Sequence, residues 1–135
     1  MKNHFTFLLI CILFIGSCKS NNNNNDDNTS ESTETGIFER LDVAQFQKRL
    51  AGTSYPQLID VRTPEEYAQG TIQNAVNMNF HGDDFENQLN TLDKTKPVFV
   101  FCQVGGRSLK SAKKMQAMGF EKVYELEVGY SGWEQ

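Results

Sequence analysis

Between Leu41 and Leu126 the apolar residues follow two patterns, short dense runs and stretches in which they return every three or four positions. The runs are Gln57-Leu58-Ile59-Asp60-Val61, Ala75-Val76-Asn77-Met78, Pro97-Val98-Phe99-Val100-Phe101 and Val123-Tyr124-Glu125-Leu126. Short, apolar and rich in β-branched residues, they predict buried strands. The run at 97–101 is the strongest and is apolar on both faces, as a central parallel strand is. Helical spacing fills the gaps. Val43, Phe46 and Leu50 share one face, Asp42 and Gln45 form a capping box, Leu41 can staple to Phe46, and Gly52 is the stop. Thr63-Pro64-Glu65-Glu66 starts a second helix with a cap, a proline in the first turn and an acid at the third position, ending near Gly70. Asp83 or Asp84 caps a third helix with Phe85, Leu89 and Leu92 on one side. A fourth begins near Arg107-Ser108, turns Leu109, Ala112, Met115 and Met118 inward, and stops at Gly119. Strands alternating with helices predict an α/β fold, a central and mostly parallel sheet flanked by helices.

Upstream the pattern changes. Lys2 precedes an apolar run over 5–15, followed by Gly16-Ser17-Cys18. A basic start, a short apolar stretch and small residues describe a secretory signal peptide. The run is well short of the roughly 20 residues that span a bilayer. Ile15-Gly16-Ser17-Cys18 resembles the bacterial lipobox, which implies acylation of Cys18 and a lipid anchor to a membrane. The polar segment that follows, with five consecutive asparagines and no apolar residue, predicts a disordered tether. The expected organisation is a signal peptide over 1–17, a tether over 18–36 and one folded domain over 37–135. The protein is expected to be exported and anchored by its lipid, facing the periplasm or exterior. Loss of Lys2 with the signal peptide makes the mature chain one unit more negative than the −4 of the whole. That acidity argues against nucleic acid as a partner; a monomer is expected.

Of three cysteines, Cys11 would leave with the expected signal peptide and Cys18 would be acylated as the lipobox resemblance implies, which leaves Cys102 alone. It follows directly on the strongest strand, and Gln103-Val104-Gly105-Gly106-Arg107 separates it from a helix start. In parallel sheets ligands bind at the carboxyl ends of strands. A turn with two glycines can aim backbone N–H groups inward as an anion nest. The helix N-terminus adds partial positive charge, and Arg107 a full one. All of these favour the thiolate, which is the nucleophile.

Cys102-Gln103-Val104-Gly105-Gly106-Arg107-Ser108 resembles the active-site loop of the rhodanese family, Cys-x-x-Gly-x-Arg-Ser. Asp60 to Tyr67, Gly70 to Asn77, and Gly119-Phe120 with Val123-Tyr124 and Gly129 to Trp133 resemble the family's other motifs, in order. Two departures stand at the rim: Thr71 where the family often has His, and Gln73-Asn74 in place of Pro-Gly. The resemblance implies a sulfurtransferase working by double displacement. Cys102 takes sulfane sulfur from a small anionic donor such as thiosulfate. The persulfide is cradled by the loop 103–108, and a thiol, cyanide or protein acceptor removes the outer sulfur. It implies no cofactor, no metal and no general base.

Smaller roles attach to other residues. Arg107 is read either as a contact for the anionic donor or as a pin on loop carbonyls. Asp60 and Arg62 are read as a supporting ion pair near the site. His81 and the lysines 110, 113 and 114 are read as solvated, and Trp133 as core. Two rival functions use the same cysteine. A cysteine phosphatase places five residues between Cys and Arg, whereas this chain has four, a narrower cradle that suits a sulfur atom better than a phosphoryl group. A carrier module would receive and pass on a persulfide without turning over free thiosulfate.

Overall fold

The computed structural model describes residues 36–133. The signal peptide, Cys18 and the tether up to residue 35 therefore lie outside the described residues. The elements in chain order are β1 (Ile37–Leu41), α1 (Val43–Ala51), β2 (Gln57–Asp60), α2 (Pro64–Ala68) and β3 (Val76–Asn77). They continue with α3 (Phe85–Leu89), β4 (Val98–Phe101), α4 (Gly106–Ala117), β5 (Lys122–Leu126) and α5 (Gly129–Trp133). The strands make a five-stranded sheet in the order β1-β5-β4-β2-β3, and every pairing is parallel.

β4 lies at the centre and is buried along its whole length. Strand alternation splits its side chains between two cores. Val98 and Val100, with Cys102 just beyond, join Ile59, Val123, Ala112, Met115 and Phe120 on one face. Phe99 and Phe101 join Leu58, Tyr124, Leu126 and Phe46 on the other. Phe46 anchors the second core: it is fully buried and meets Phe99 and Trp133 edge-on, at centroid distances of 5.3 and 6.2 Å.

Local chemistry sets the helix starts. The Asp42 carboxylate accepts from Gln45 N–H at 2.8 Å, and the Gln45 amide oxygen accepts from Asp42 N–H at 3.2 Å. Thr63 and Glu66 cap α2 in the same reciprocal way.

Several expectations change. The edge strand β1 carries Glu39 and Arg40 between its apolar residues and shows no apolar run, so only its pairing with β5 reveals it. α5 contains two glycines, poor helix formers, and was likewise not anticipated. The strand expected over 75–78 shrinks to two residues, because β3 pairs only Val76 with Ile59 and Asn77 with Asp60. Asp84 precedes α3 without a side-chain capping bond, and Leu92 packs on the core from beyond the helix end. In α4 the buried face is Ser108, Ser111, Ala112 and Met115, while Leu109 is half-buried. Two serines thus occupy the inward face; Ser111 satisfies its hydroxyl within the helix, donating to Arg107 O at 2.8 Å.

Candidate active site

Cys102 leaves the carboxyl end of β4 and is 1% exposed. The loop after it turns under it: Gly105 N–H donates to Cys102 Sγ at 3.2 Å, and the Ser108 hydroxyl lies 3.4 Å away. Two glycines make this turn possible. Gly105 has φ +88°, and a Cβ there would sit 2.0 Å from the Glu127 carbonyl oxygen. Gly129 has φ +63°, and its Cβ would meet the Cys102 carbonyl oxygen at 2.5 Å. That close approach lets Tyr130 N–H donate to Cys102 O at 2.7 Å and Ser131 N–H to Gln103 O at 3.1 Å. The start of α5 takes up these loop carbonyls, while N–H groups of the same loop face the sulfur.

The thiol's acidity reflects two opposed effects. Burial, the largest, pushes the Cys102 thiol up. The Ser108 hydroxyl and the N–H groups of Ser108, Val104 and Gly105 together outweigh it, so the net shift is below the usual thiol value. Donors aimed at a buried sulfur are what a thiolate needs in place of water.

Arg107 takes a partner that neither expectation named. Its guanidinium forms a two-pronged pair with Glu66 of α2, Nη1 to Oε2 at 2.6 Å and Nη2 to Oε1 at 2.7 Å. The pin is a carboxylate rather than loop carbonyls, because Glu66, held at the α2 start by its capping bond to Thr63 N–H, points at the loop. The pairing pushes the Arg107 pKa up, and Cys102 adds smaller contributions in the same direction. Glu66 drops to about 2, chiefly through Arg107, with burial opposing.

Asp60 and Arg62 form a buried ion pair, Oδ2 to Nη2 at 2.7 Å, with both side chains at or below 2% exposure. Arg62 does more than balance charge. It donates to Gly70 O at 2.6 Å and to Gln103 Oε1 at 3.0 Å, and it stacks over Tyr130 at 4.1 Å. Gln103 in turn donates to Ser131 Oγ at 2.8 Å. β2, the loop and α5 are therefore tied in one chain of charge-assisted bonds. Gln103, read from sequence as a substrate contact, spends both ends of its amide on the scaffold. Val104 is exposed at the loop, and Gly106 has open space where a Cβ would stand.

The two rim departures have local explanations. Thr71 donates to Asp60 Oδ2 at 2.9 Å. Asn74 adopts φ +68°, a left-handed conformation that asparagine accepts more readily than most residues. His81 is exposed and lies edge-on to Phe80. Lys110 and Lys113 are exposed, and Lys114 pairs with Glu86.

Two residues escaped the sequence reading. Glu66 registered only as a helix-start acid. Glu125 lay inside a strand read as core, where an acid between Tyr and Leu was the signal that a buried carboxylate needs a partner. Its side chain is fully buried, accepting from Ser108 Oγ at 2.6 Å and from Arg40 Nε at 2.7 Å. That carboxylate is why Ser108 faces inward.

Comparison with known proteins agrees with this geometry. Residues 42–135 match the family model described as Rhodanese-like domain. A sulfurtransferase of Allochromatium vinosum is 30% identical over 97 residues, covering 72% of this chain and 89% of that one. The thiosulfate sulfurtransferase GlpE of Shewanella oneidensis is 29% identical over 98 residues, covering 73% and 94%. Among solved structures, a rhodanese-like domain protein from Staphylococcus aureus matches with a TM-score of 0.63 at 28% identity, over 70% of this chain and 90% of that one. A human single-domain sulfurtransferase shares the fold, with a TM-score of 0.58 at 22% identity over 70% and 94%.

Proposed function

This chain belongs to the rhodanese-like domain family, and from that premise we propose that it is a sulfurtransferase that carries sulfane sulfur as a persulfide on Cys102. One observation carries the reading: a single buried cysteine at the end of the central strand, with its sulfur facing the loop's N–H groups and a serine hydroxyl. In the first step the Cys102 thiolate attacks the sulfane sulfur of an anionic donor such as thiosulfate. The S–S bond of the donor breaks, sulfite leaves with its electron pair, and the outer sulfur of the new persulfide holds the negative charge. In the second step a thiophilic acceptor (cyanide, a thiol or a protein thiol) takes that sulfur and returns the charge to Sγ. The loop donors meet the charge whenever it resides on Sγ. Arg107, shared with Glu66, orients the loop and presents one edge of its charge to the incoming anion.

The proposal extends to location. The lipobox-like Ile15-Gly16-Ser17-Cys18 after the apolar run supports export and lipid anchoring, with the catalytic domain held off the membrane on the polar tether. Among the described residues no helix is long and apolar enough to cross a membrane.

The test is an intact mass of the reduced protein after incubation with thiosulfate, followed by cyanide and a thiocyanate assay, run beside Cys102→Ser. The expected result is a gain of one sulfur on the parent alone and then turnover. Sulfur uptake without turnover moves the assignment to a carrier module; reduced protein that takes up no sulfur refutes the proposal.

A further inference from the structure

Next to the sulfur, groups from four parts of the fold meet in a chain of successive contacts. Cys102 Sγ lies 3.4 Å from Ser108 Oγ on α4, and Ser108 Oγ lies 2.6 Å from Glu125 Oε1 on β5. The other carboxylate oxygen accepts from Arg40 Nε on β1 at 2.7 Å. Ser108 and Glu125 have no exposure, and Cys102 has 1%. Arg40 is 36% exposed and reaches Glu127 at 3.6 Å on its solvent side. Arg107 of α4, paired with Glu66 of α2, is a further charged group that interacts with Cys102. The Arg62–Asp60 pair of β2 reaches the loop through Gln103.

A hydroxyl owns one proton, so Ser108 can donate to Glu125 or to Sγ but not to both. Two arrangements satisfy all three groups. In one, the Cys102 thiol donates to Ser108 Oγ, and Ser108 donates to an ionised Glu125. In the other, a protonated Glu125 donates to Ser108 Oγ, and Ser108 donates to the Cys102 thiolate. If both ends were ionised, Ser108 could serve only one of them; the other would keep its remaining donors, the loop N–H groups at Sγ or Arg40 at Glu125, and would face a lone pair of Ser108. The two satisfied arrangements differ only by one step of each proton along the line.

We propose that Ser108 and Glu125 form an internal proton relay that activates Cys102, with Glu125 acting through Ser108. The Sγ–H and Ser108 Oγ–H bonds break as new Oγ–H and Glu125 Oε1–H bonds form, and nothing is oxidised or reduced. The nucleophile is thus generated without bringing water to a buried sulfur. Neutralising Glu125 in the same event also removes a negative charge from behind the thiolate as an anionic donor approaches. The relay replaces the expectation that no base is needed, and its place in turnover rests on the sulfurtransferase reading above.

The test is the rate of iodoacetamide alkylation of the full-length chain from about pH 5 to pH 9, followed at Cys102 by peptide mass. Two sites sharing a proton titrate in two macroscopic steps. The parent is expected to show a reactive shoulder at low pH. Glu125→Gln is expected to lose it, rising in one step with a rate about tenfold lower near pH 6. A carboxylate that merely sits nearby as a fixed charge predicts the opposite sign, a faster reaction in Glu125→Gln. A faster or unchanged rate therefore overturns the relay. A second measurement needs no variant: infrared difference spectra of the unmodified chain across the same range. As the pH rises, parallel loss of an S–H stretch and a protonated-carboxyl stretch, two populations of one shared proton, supports the relay, and S–H loss with no protonated-carboxyl band lost beside it overturns it. Sulfur uptake from thiosulfate, measured on the same unmodified protein, judges the sulfurtransferase reading separately. Its absence removes that reading while the alkylation profile and the spectra still decide the proton transfer.

Discussion

Glu66→Gln tests how the loop is held. The substitution keeps the size of the side chain and an oxygen to accept from Thr63 N–H, now at 2.9 Å, but it removes the charge facing Arg107. Glu66 falls from 4.5 to about 2, with the Arg107 hydrogen bonds as the largest cause. A carboxylate lowered in the folded state contributes stability that is fully present above its unfolded value of 4.5 and is lost as pH falls toward about 2. At about 1.4 kcal/mol per unit, the shift corresponds to about 3 kcal/mol before solvent is considered. The two side chains keep 30% and 22% exposure, so screening reduces the expected loss to about 1–2 kcal/mol. Urea unfolding of parent and variant at pH 7 should give that difference, and at about pH 3 less than half of it. A double-mutant cycle with Arg107→Gln should assign most of the difference to the pair. An equal loss at both pH values, or a coupling below about 0.3 kcal/mol, would refute the account. The same variant unshares Arg107, so KM for an anionic sulfur donor should fall.

Other positions give sharper structural tests. Gly105→Ala places a Cβ 2.0 Å from the Glu127 carbonyl at φ +88°; the turn should open, with slower Cys102 alkylation and a stability loss above about 2 kcal/mol in urea melts. Asp60→Asn leaves Arg62 charged and buried without its carboxylate; about 3–5 kcal/mol should be lost in the same melts, with Gln103 loosened and sulfur uptake slowed. Phe46→Ala empties the centre of the second core and should cost about 3–5 kcal/mol, read as a fall in thermal midpoint, with the alkylation rate of the folded fraction unchanged.

Much of this molecule could be read along the chain because its signals are local. Asp42 with Gln45 and Thr63 with Glu66 mark helix starts through bonds that span three residues. The strand at 98–101 shows as an apolar run because both of its faces are covered, and Cys102 between that strand and a paired-glycine turn needs no distant partner to stand out. What escaped depends on neighbours far away in sequence. β1 exists because β5 offers it a parallel edge some 85 residues on, as the Arg40–Glu125 pair records. Arg107 meets Glu66 across 41 residues, and Arg62 meets Gln103 across the same interval. A sequence displays which charges a chain carries, but chain topology decides which of them face each other. Ser108 is the clearest case: by sequence it belonged to a helix start, and only the parallel placement of β5 beside β4 sets a buried carboxylate behind it and a cysteine in front.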